Sequence, residues 1–337
     1  MKILVTGASG FLGTGLLSRL LSDSAYEVAI ASRRPSGRVG VEEFLVADLK
    51  RDTSWAVALA RVEVLVHTAA RVHIRAEDEA SDPLAVYRAV NVEGTLNLAQ
   101  QAASAGVRRF VFVSSIKVNG ESTEPGCPFS ADDPPNPGDP YSISKMEAEQ
   151  QLRAVASRTG MEVVIVRPPL VYGPGVKANF LSMMRWLGHS IPMPFGLIQN
   201  QRSLVALDNL VDLIVRCIDH PAAANQTFLV SDGDDVSTPE LFRRLGEALG
   251  NPAILLPVPS VWLTVSARLL GQPGLAQRLC GSLQVDISKT RAMLGWEPPC
   301  SMQDELQKTV EAFRGEARAC TVPVLSRRSG GRRWYDW

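Results

Sequence analysis

The sequence lacks the features that mark several common classes of protein. Its five cysteines form no CxxC pair and no histidine-rich spacing, so we expect reduced thiols and no metal site. No apolar run reaches the roughly 18 residues needed to span a bilayer, so we expect no membrane insertion. The 35 basic and 35 acidic residues cancel to a formal net charge of zero. Bulk charge therefore indicates neither a nucleic acid nor an anionic membrane as partner.

The chain also lacks a recognisable leader, because Met1 runs directly into an apolar stretch. We therefore expect a cytoplasmic protein without a signal peptide. Its 337 residues, of which 45% are hydrophobic, are enough for one large domain with a smaller companion. A small molecule is the expected partner.

The opening stretch predicts a strand, a tight turn and a helix. Residues 3–6 are apolar or β-favouring, and they lead into Gly7, Gly10 and Gly13 and an amphipathic segment over 11–21. A pyrophosphate needs close approach of the backbone and the free N–H groups of a helix N-terminus. Gly7 would form the turn, Gly10 would admit the phosphate, and Gly13 would let the helix pack on the strand. A glycine-rich turn of an unrelated α/β protein is the alternative.

Short β-rich runs alternate with helical patterns through the first half of the chain. The predicted strands are 27–31, 44–47, 62–67, 109–114 and 162–166, and the predicted helices between them are 84–105 and 141–156. This alternation predicts an α/β fold with a Rossmann-type, doubly wound parallel sheet. Ligands bind such sheets beyond the carboxyl ends of the strands.

Prolines interrupt regular elements after Arg167, which predicts a smaller, sequence-interleaved C-terminal substrate lobe. We expect a dinucleotide-binding domain of residues 1–166 plus about 203–230, and a substrate lobe of 167–202 plus about 231–316. Predicted elements here are a helix over 203–219, a strand over 227–230, a helix capped by Thr238, and helices over 259–270, 288–294 and 302–314. Residues 317–337 are predicted to be a disordered tail.

Tyr141 and Lys145 lie four residues apart, hence on one face of a predicted helix. A nearby cation favours phenolate over phenol, so Lys145 is expected to lower the tyrosine pKa and make Tyr141 a general acid or base. The alternative is a surface tyrosine one turn from a solvated lysine. Ser114 and Ser115 end an apolar strand at the ligand-binding edge. We expect one serine to hydrogen-bond a substrate and the other only to terminate the strand or cap a helix.

These residues and several further motifs together resemble one family, the extended short-chain dehydrogenases/reductases that act on nucleotide sugars. The motifs that carry the resemblance span nearly the whole chain: Thr6-Gly-Ala-Ser-Gly-Phe-Leu-Gly13, Asp48-Leu49, His67-Thr-Ala-Ala70, Asn91-Val-Glu-Gly-Thr95, Ser114-Ser115, Tyr141 to Lys145, Arg167-Pro-Pro-Leu-Val-Tyr-Gly-Pro-Gly175 and Leu294-Gly-Trp296.

The resemblance implies a role for individual residues. It implies Ser115, Tyr141 and Lys145 as the catalytic group, with Lys145 also binding the nicotinamide ribose. The other cofactor contacts that it implies are Gly7, Gly10, Phe11, Leu12, Gly13, Ser32, Arg33, Asp48, Leu49, Ala69, Ala70 and Pro168. It implies that Asn179 and Arg202, together with Ser115, bind a UDP-sugar. An arginine suits a diphosphate because its planar fork makes paired hydrogen bonds.

The end of the second predicted strand departs from the pattern for NAD. An acidic residue there would accept from the ribose 2′-hydroxyl, but this chain has Ser32-Arg33-Arg34. Because arginine binds a 2′-phosphate, we expect NADP(H) to be accepted and preferred over NAD(H). The alternative is that Arg33 and Arg34 stack on adenine or face water.

Leu170 is a second departure, because many 4-epimerases of the family carry an asparagine there that contacts the sugar. Leucine cannot make that hydrogen bond. Together with Arg33, this favours reduction of the C4 ketone of a UDP-4-keto-6-deoxy-N-acetylhexosamine to UDP-N-acetylquinovosamine or a relative, in polysaccharide sugar-nucleotide synthesis. The alternative is a UDP-hexose or UDP-N-acetylhexosamine 4-epimerase, and a more remote one is a non-catalytic NADP sensor. Ile116-Lys117 disfavours a 4,6-dehydratase, and a homodimer is possible.

Overall fold

The computed structural model describes residues 1–73, 82–124, 126–269, 277 and 279–321. The strands in these ranges are β1 Lys2–Thr6, β2 Glu27–Ser32, β3 Glu42–Leu45, β4 Val64–His67, β5 Arg109–Val113, β6 Glu162–Arg167, β7 Leu170–Tyr172, β8 Leu204–Ala206 and β9 Thr227–Leu229. The α-helices are α1 Phe11–Leu21, α2 Pro83–Arg88, α3 Thr95–Ser104, α4 Pro140–Thr159, α5 Ala178–Gly188, α6 Leu207–Asp219, α7 Thr238–Ala248, α8 Ser260–Leu269, α9 Ser288–Leu294 and α10 Met302–Thr321. A π-helix spans Ala89–Gly94, and short 3₁₀-helices span Ile116–Val118 and Pro221–Ala223.

Seven strands form one parallel sheet in the order β3-β2-β1-β4-β5-β6-β9. The strand order changes direction between β1 and β4, which makes this position the topological switch point. Ligands bind outside the carboxyl ends of the strands at such a point. The predicted Rossmann-type fold class is confirmed, and β7 and β8 form a separate parallel pair.

Alternate residues of the strands enter different cores on the two faces of the sheet. Ile3 and Val5 pack in one buried cluster with Leu16 of α1, whereas Leu4 packs in the other with Leu98 of α3. This is the two-residue period of a strand whose two faces are both covered by helices. The sheet is therefore buried on both sides, and its carboxyl edge is the place left for a ligand.

A third cluster of buried apolar residues lies apart from these two cores. It includes Tyr172 of β7, Phe180 of α5, Phe242 of α7 and Leu306 of α10. Its members come from the segments that the sequence assigns to the substrate lobe. We propose this cluster as the core of that lobe.

Several elements differ from the sequence-based expectation. The helix predicted over 84–105 is divided into α2, the π-helix Ala89–Gly94 and α3. The helix predicted over 203–219 begins only at Leu207, because the residues before it pair with β7 as strand β8. The strand predicted over 44–47 lies at Glu42–Leu45, in register with the end of β2.

The C-terminal helices also differ in detail from the prediction. Ser237, not Thr238, caps α7, because its side chain accepts from the N–H of Glu240. Helix α10 continues past Arg314 to Thr321, so its last turn lies within the stretch predicted to be disordered. The rest of that predicted tail, residues 322–337, lies outside the described residues.

Two further observations bear on the absences noted in the sequence. Among the described helices, none combines the length and the apolar character that crossing a membrane requires. The four cysteines whose side chains the structure describes, Cys127, Cys217, Cys280 and Cys300, are free thiols.

Gly13 provides a test of the packing of α1 on the first strand. A Cβ at this position would lie 2.1 Å from the carbonyl oxygen of Gly7, so Gly13→Ala is expected to lower the free energy of unfolding by about 3 kcal/mol. Denaturant unfolding measures the change. Gly188→Ala is the control, because a Cβ there meets no atom within 4 Å among the described residues. Equal stability of the Gly13→Ala variant and the parent would contradict this packing.

Candidate active site

The turn between β1 and α1 has the geometry of a pyrophosphate site. Gly7 has a φ of +76°, and a Cβ on it would lie 2.7 Å from the backbone nitrogen of Ala69 after β4. Gly10 is exposed, and a Cβ on it would approach only the carbonyl oxygen of Gly7, at 3.2 Å. The turn is therefore tightly packed at Gly7 and open at Gly10. The open side lies at the N-terminus of α1, where Phe11 and Leu12 begin the helix. These residues fit a dinucleotide.

Asp48, which is acidic, and Leu49, which is apolar, follow β3 and lie beyond this turn. The Asp48 carboxylate accepts from the N–H of Leu49 at 2.9 Å, and the Leu49 side chain is buried. The Leu49 carbonyl oxygen lies so close to Gly94 that a Cβ there would be 2.6 Å away. The predicted adenine contact at Asp48 and Leu49 thus lies against the start of α3.

The loop that follows β4 is held by a buried asparagine. Asn91, in the π-helix, accepts from the N–H of Arg71 at 2.8 Å and donates to the Arg71 carbonyl at 3.0 Å. It also donates to the Ser144 hydroxyl of α4 at 3.0 Å. Ala69 and Ala70 are therefore positioned beside the glycine turn by an interaction with a distant helix. π-Helical turns often occur at functional sites.

His67 at the end of β4 links the strands beneath the site. Its Nδ1 lies 2.7 Å from Oγ1 of Thr6, and its Nε2 lies 3.1 Å from Oγ1 of Thr95. Burial, with the charge of Lys145 as a second cause, lowers the pKa of His67 to about 3. The imidazole is neutral at physiological pH and joins β1, β4 and α3.

Lys145 is buried against the strand that ends in the two serines. Its Nζ donates to the carbonyl of Val113 at 2.7 Å and lies 4.1 Å from the centre of the Phe112 ring. Burial lowers the pKa of Lys145 to about 7, although the charge of Glu149 opposes this shift. The ammonium therefore loses its proton near neutrality, far below the ordinary lysine range.

Tyr141 begins α4 one turn before Lys145 and is half-buried. Its ring packs edge-on against Tyr87, with the centroids 5.8 Å apart. Burial raises the pKa of Tyr141, and the charges of Asp139 and Tyr87 raise it further. Lys145 is not among the causes of this shift, so the expectation that Lys145 lowers the pKa of Tyr141 stays a prediction. Tyr141 is a neutral phenol in this structure.

Ser114 and Ser115 have different surroundings. The Ser114 hydroxyl donates to the buried carboxylate of Glu149 at 2.5 Å. Ser115 caps the 3₁₀-helix, its hydroxyl accepting from the N–H of Lys117 at 3.3 Å, and it remains partly exposed. Of the two serines, Ser115 is the more exposed, and its catalytic role stays a prediction.

A buried ion pair underlies this region and was not predicted from the sequence. Arg167, at the end of β6, donates to both carboxylate oxygens of Glu149 at 2.9 and 2.5 Å, and both side chains are 3% exposed. Arg167 also donates to Asn119 at 2.9 Å. Glu149 lies one turn beyond Lys145, so the spacing alone placed it on the same helix face, but nothing local indicated its partner.

The remaining predicted contacts lie at different depths. Pro168 is buried, and its carbonyl accepts from the N–H of Ile116 at 3.0 Å, which joins the ends of β5 and β6. Asn179 is exposed in the first turn of α5. Arg202 donates to the carbonyl of Gly281 at 3.1 Å, and burial lowers its pKa. The structure thus places these residues but does not test their roles.

The end of β2 differs from the sequence-based picture. The Ser32 hydroxyl donates to the carboxylate of Glu43 on the neighbouring strand β3 at 2.5 Å. Arg33 and Arg34 follow as exposed residues. An acidic group is therefore present at this strand end after all, supplied from β3 rather than from β2.

One acidic cluster lies away from this edge. Ligand atoms of Asp208, Cys300 and Glu305 lie within 4.8 Å of one another. The Lys308 ammonium contacts Asp208 at 3.1 Å and Glu305 at 2.5 Å, so the cluster already holds a positive charge. It gives no support for a metal site.

A glycine turn at the switch point, with a tyrosine and a lysine on the helix across the same edge, defines a nicotinamide-dependent enzyme of the short-chain dehydrogenase/reductase type. The chain belongs to the NAD dependent epimerase/dehydratase family, whose model matches residues 3–231. The predicted resemblance to the nucleotide-sugar enzymes is thereby confirmed. The cofactor is a nicotinamide dinucleotide.

Individual relatives are similar over nearly the whole chain. A UDP-glucose 4-epimerase from Vibrio cholerae is 52% identical over 313 residues, which cover 93% of this chain and 95% of that protein. A UDP-glucose 4-epimerase from Mycolicibacterium smegmatis is 32% identical over 339 residues, covering 94% and 100%. A UDP-glucuronic acid 4-epimerase from Bacillus cereus, solved in complex with NAD, has a TM-score of 0.75 at 20% identity, covering 94% of this chain and 99% of that one, and shares the fold.

Replacing Tyr141 tests its predicted role as acid and base. Tyr141→Phe retains the ring contact with Tyr87 and removes only the hydroxyl, so turnover is expected to fall by about 10²-fold or more while cofactor binding is unchanged. Steady-state kinetics and calorimetric titration measure the two quantities. Tyr26→Phe, just before β2 at the opposite edge of the sheet, is the control. Unchanged biological activity of Tyr141→Phe would instead favour the non-catalytic sensor.

Burial of Lys145 predicts a pH-dependent contribution to stability. Because its pKa falls from 10.5 to about 7 on folding, the unfolded chain binds the extra proton between these values, and this contribution to stability rises with pH across that window. The free energy of unfolding of the parent, minus that of Lys145→Met, should therefore increase from pH 7 to pH 10. Parallel pH profiles of the two proteins in denaturant titrations would show that Lys145 titrates normally.

Proposed function

We propose that this chain is a UDP-sugar 4-epimerase, the alternative that the sequence ranks below the C4 reductase. The observation that carries the proposal is the 52% identity to the Vibrio cholerae UDP-glucose 4-epimerase over 93% of this chain. The relative from Mycolicibacterium smegmatis carries the same activity in its name. Glu43 beside Ser32 weakens the argument for a dissociable NADPH, which was one of the two reasons for preferring the reductase.

The residues at the cleft suit the proton movements of this reaction. When bound, the nicotinamide supplies a reversible acceptor for the C4 hydrogen. Tyr141 must lose its own proton before this step: as the phenolate it would accept the proton of the sugar C4 hydroxyl when C4 is oxidised, and it would return that proton when C4 is reduced from the other face. Ser115 holds the C4 oxygen. Lys145, whose pKa burial lowers to about 7, lies one turn further along the same helix.

The substrate lobe supplies the nucleotide contacts in this proposal. Arg202 and Asn179 bind the uridine diphosphate, and the guanidinium pairs with its phosphate oxygens. Leu170 is 41% exposed at the start of β7, where it offers an apolar surface to the sugar instead of an amide. The homodimer and the cytoplasmic location stay predictions.

The test is to supply UDP-glucose and UDP-N-acetylglucosamine separately to the purified protein without added cofactor. We expect one of them to be converted to a mixture of C4 epimers, seen by NMR, with no net change in absorbance at 340 nm. The Tyr141→Phe variant should leave the substrate unconverted. The proposal is overturned if neither sugar epimerises and NADPH is consumed stoichiometrically with a UDP-4-keto-6-deoxy-N-acetylhexosamine, which would identify the reductase.

A further inference from the structure

The Glu43 carboxylate is held firmly at the carboxyl end of β2. One oxygen accepts from the Ser32 hydroxyl at 2.5 Å, and the N–H of Ser36 donates to both oxygens at 2.9 and 3.0 Å. The Ser36 hydroxyl adds a fourth hydrogen bond at 3.0 Å. The Ser32 hydroxyl is the main cause that lowers the pKa of Glu43, followed by the Ser36 N–H. The group is therefore an anion at neutral pH, fixed by its neighbours.

The register of the sheet places this anion two strands away from the strand that leads into the cofactor turn. Glu43 pairs with Ile30 of β2, and Ile30 pairs with Val5 of β1, two residues before Gly7. Ile30 and Val5 lie in the cluster that packs against α1, so Glu43 is on the face of the sheet that carries the pyrophosphate helix. Its carboxylate reaches Ser32, the last residue of β2.

The chemistry of this position separates the two nicotinamide cofactors. The adenosine ribose of NAD presents uncharged hydroxyls, which a fixed carboxylate does not repel. The 2′-phosphate of NADP carries only acceptors and a charge of about −2, so it repels a fixed carboxylate. In addition, the Ser32 hydroxyl and the Ser36 N–H already donate their hydrogen bonds to Glu43 rather than to a phosphate.

We propose that Glu43 is the specificity-determining residue for the cofactor: its fixed negative charge disfavours the 2′-phosphate of NADP and leaves NAD as the preferred dinucleotide. Arg33 and Arg34 are exposed, whereas four hydrogen bonds fix the carboxylate at the strand end, so we expect the arginines not to reverse this preference. The proposal replaces the expectation that NADP(H) is preferred. It depends on the cofactor of the family and not on the sugar reaction proposed above, so failure of the epimerase assay leaves it intact.

The test is equilibrium binding to protein freed of nucleotide, with NAD⁺ and NADP⁺ titrated separately by calorimetry. The parent should bind NAD⁺ at least roughly tenfold more tightly than NADP⁺, and Glu43→Gln should reduce that ratio by about tenfold or invert it. Nucleotide released from the freshly purified protein by denaturation should be NAD rather than NADP, which chromatography determines.

Glu42→Gln is the matched control. Glu42 is the adjacent carboxylate of β3, but its side chain pairs with the Lys2 ammonium at 2.5 Å, away from Ser32. Its removal should leave the NAD⁺/NADP⁺ ratio unchanged. Glu43→Asp keeps the charge and should keep discrimination against NADP⁺, even if it weakens both affinities. Tighter binding of NADP⁺ by the parent, or a ratio unchanged in Glu43→Gln when circular dichroism shows a folded protein, would overturn the proposal.

Discussion

The buried ion pair between Glu149 and Arg167 is the interaction on which the geometry of the site depends. It joins the middle of α4, which carries Tyr141 and Lys145, to the end of β6. Because Glu149 also accepts from Ser114, one carboxylate connects the helix to two adjacent strand ends. Breaking such a pair by removing one partner costs about 3–5 kcal/mol, since the other charge is left buried. The helix that carries the predicted catalytic pair is thus held in place by a buried charge network.

Burial at this edge acts in opposite directions on the two residues of the predicted catalytic pair. It raises the pKa of Tyr141 and lowers the pKa of Lys145, because in each case it disfavours the charged form. The phenol and the amine therefore move towards their neutral states together. Transfer of the phenol proton to the amine is therefore opposed, because it would create two buried charges from two neutral groups.

The region around β2 and β3 shows how a strand-end motif can mislead. Ser32-Arg33-Arg34 lacks the acidic residue typical of NAD sites, and this absence favoured NADP. Yet in the folded chain a carboxylate from β3 hydrogen-bonds Ser32. Glu43 lies 11 positions further along the sequence, and only the parallel pairing of the two strands brings it to this position.

The sequence by itself determined the alternation of strands and helices, the glycine turn and the one-turn spacing of Tyr141 and Lys145, because these features depend on neighbours within a few residues. It also placed two serines directly after β5, at the carboxyl edge of the sheet. The tertiary structure alone decided which distant groups meet: Glu149 with Arg167, Asn91 with the loop after β4, and Glu43 with Ser32. It also decided the pKa values, since desolvation depends on what covers a side chain. Local spacing carries no information about such partners, because pairing and burial arise only when the sheet and its helices assemble.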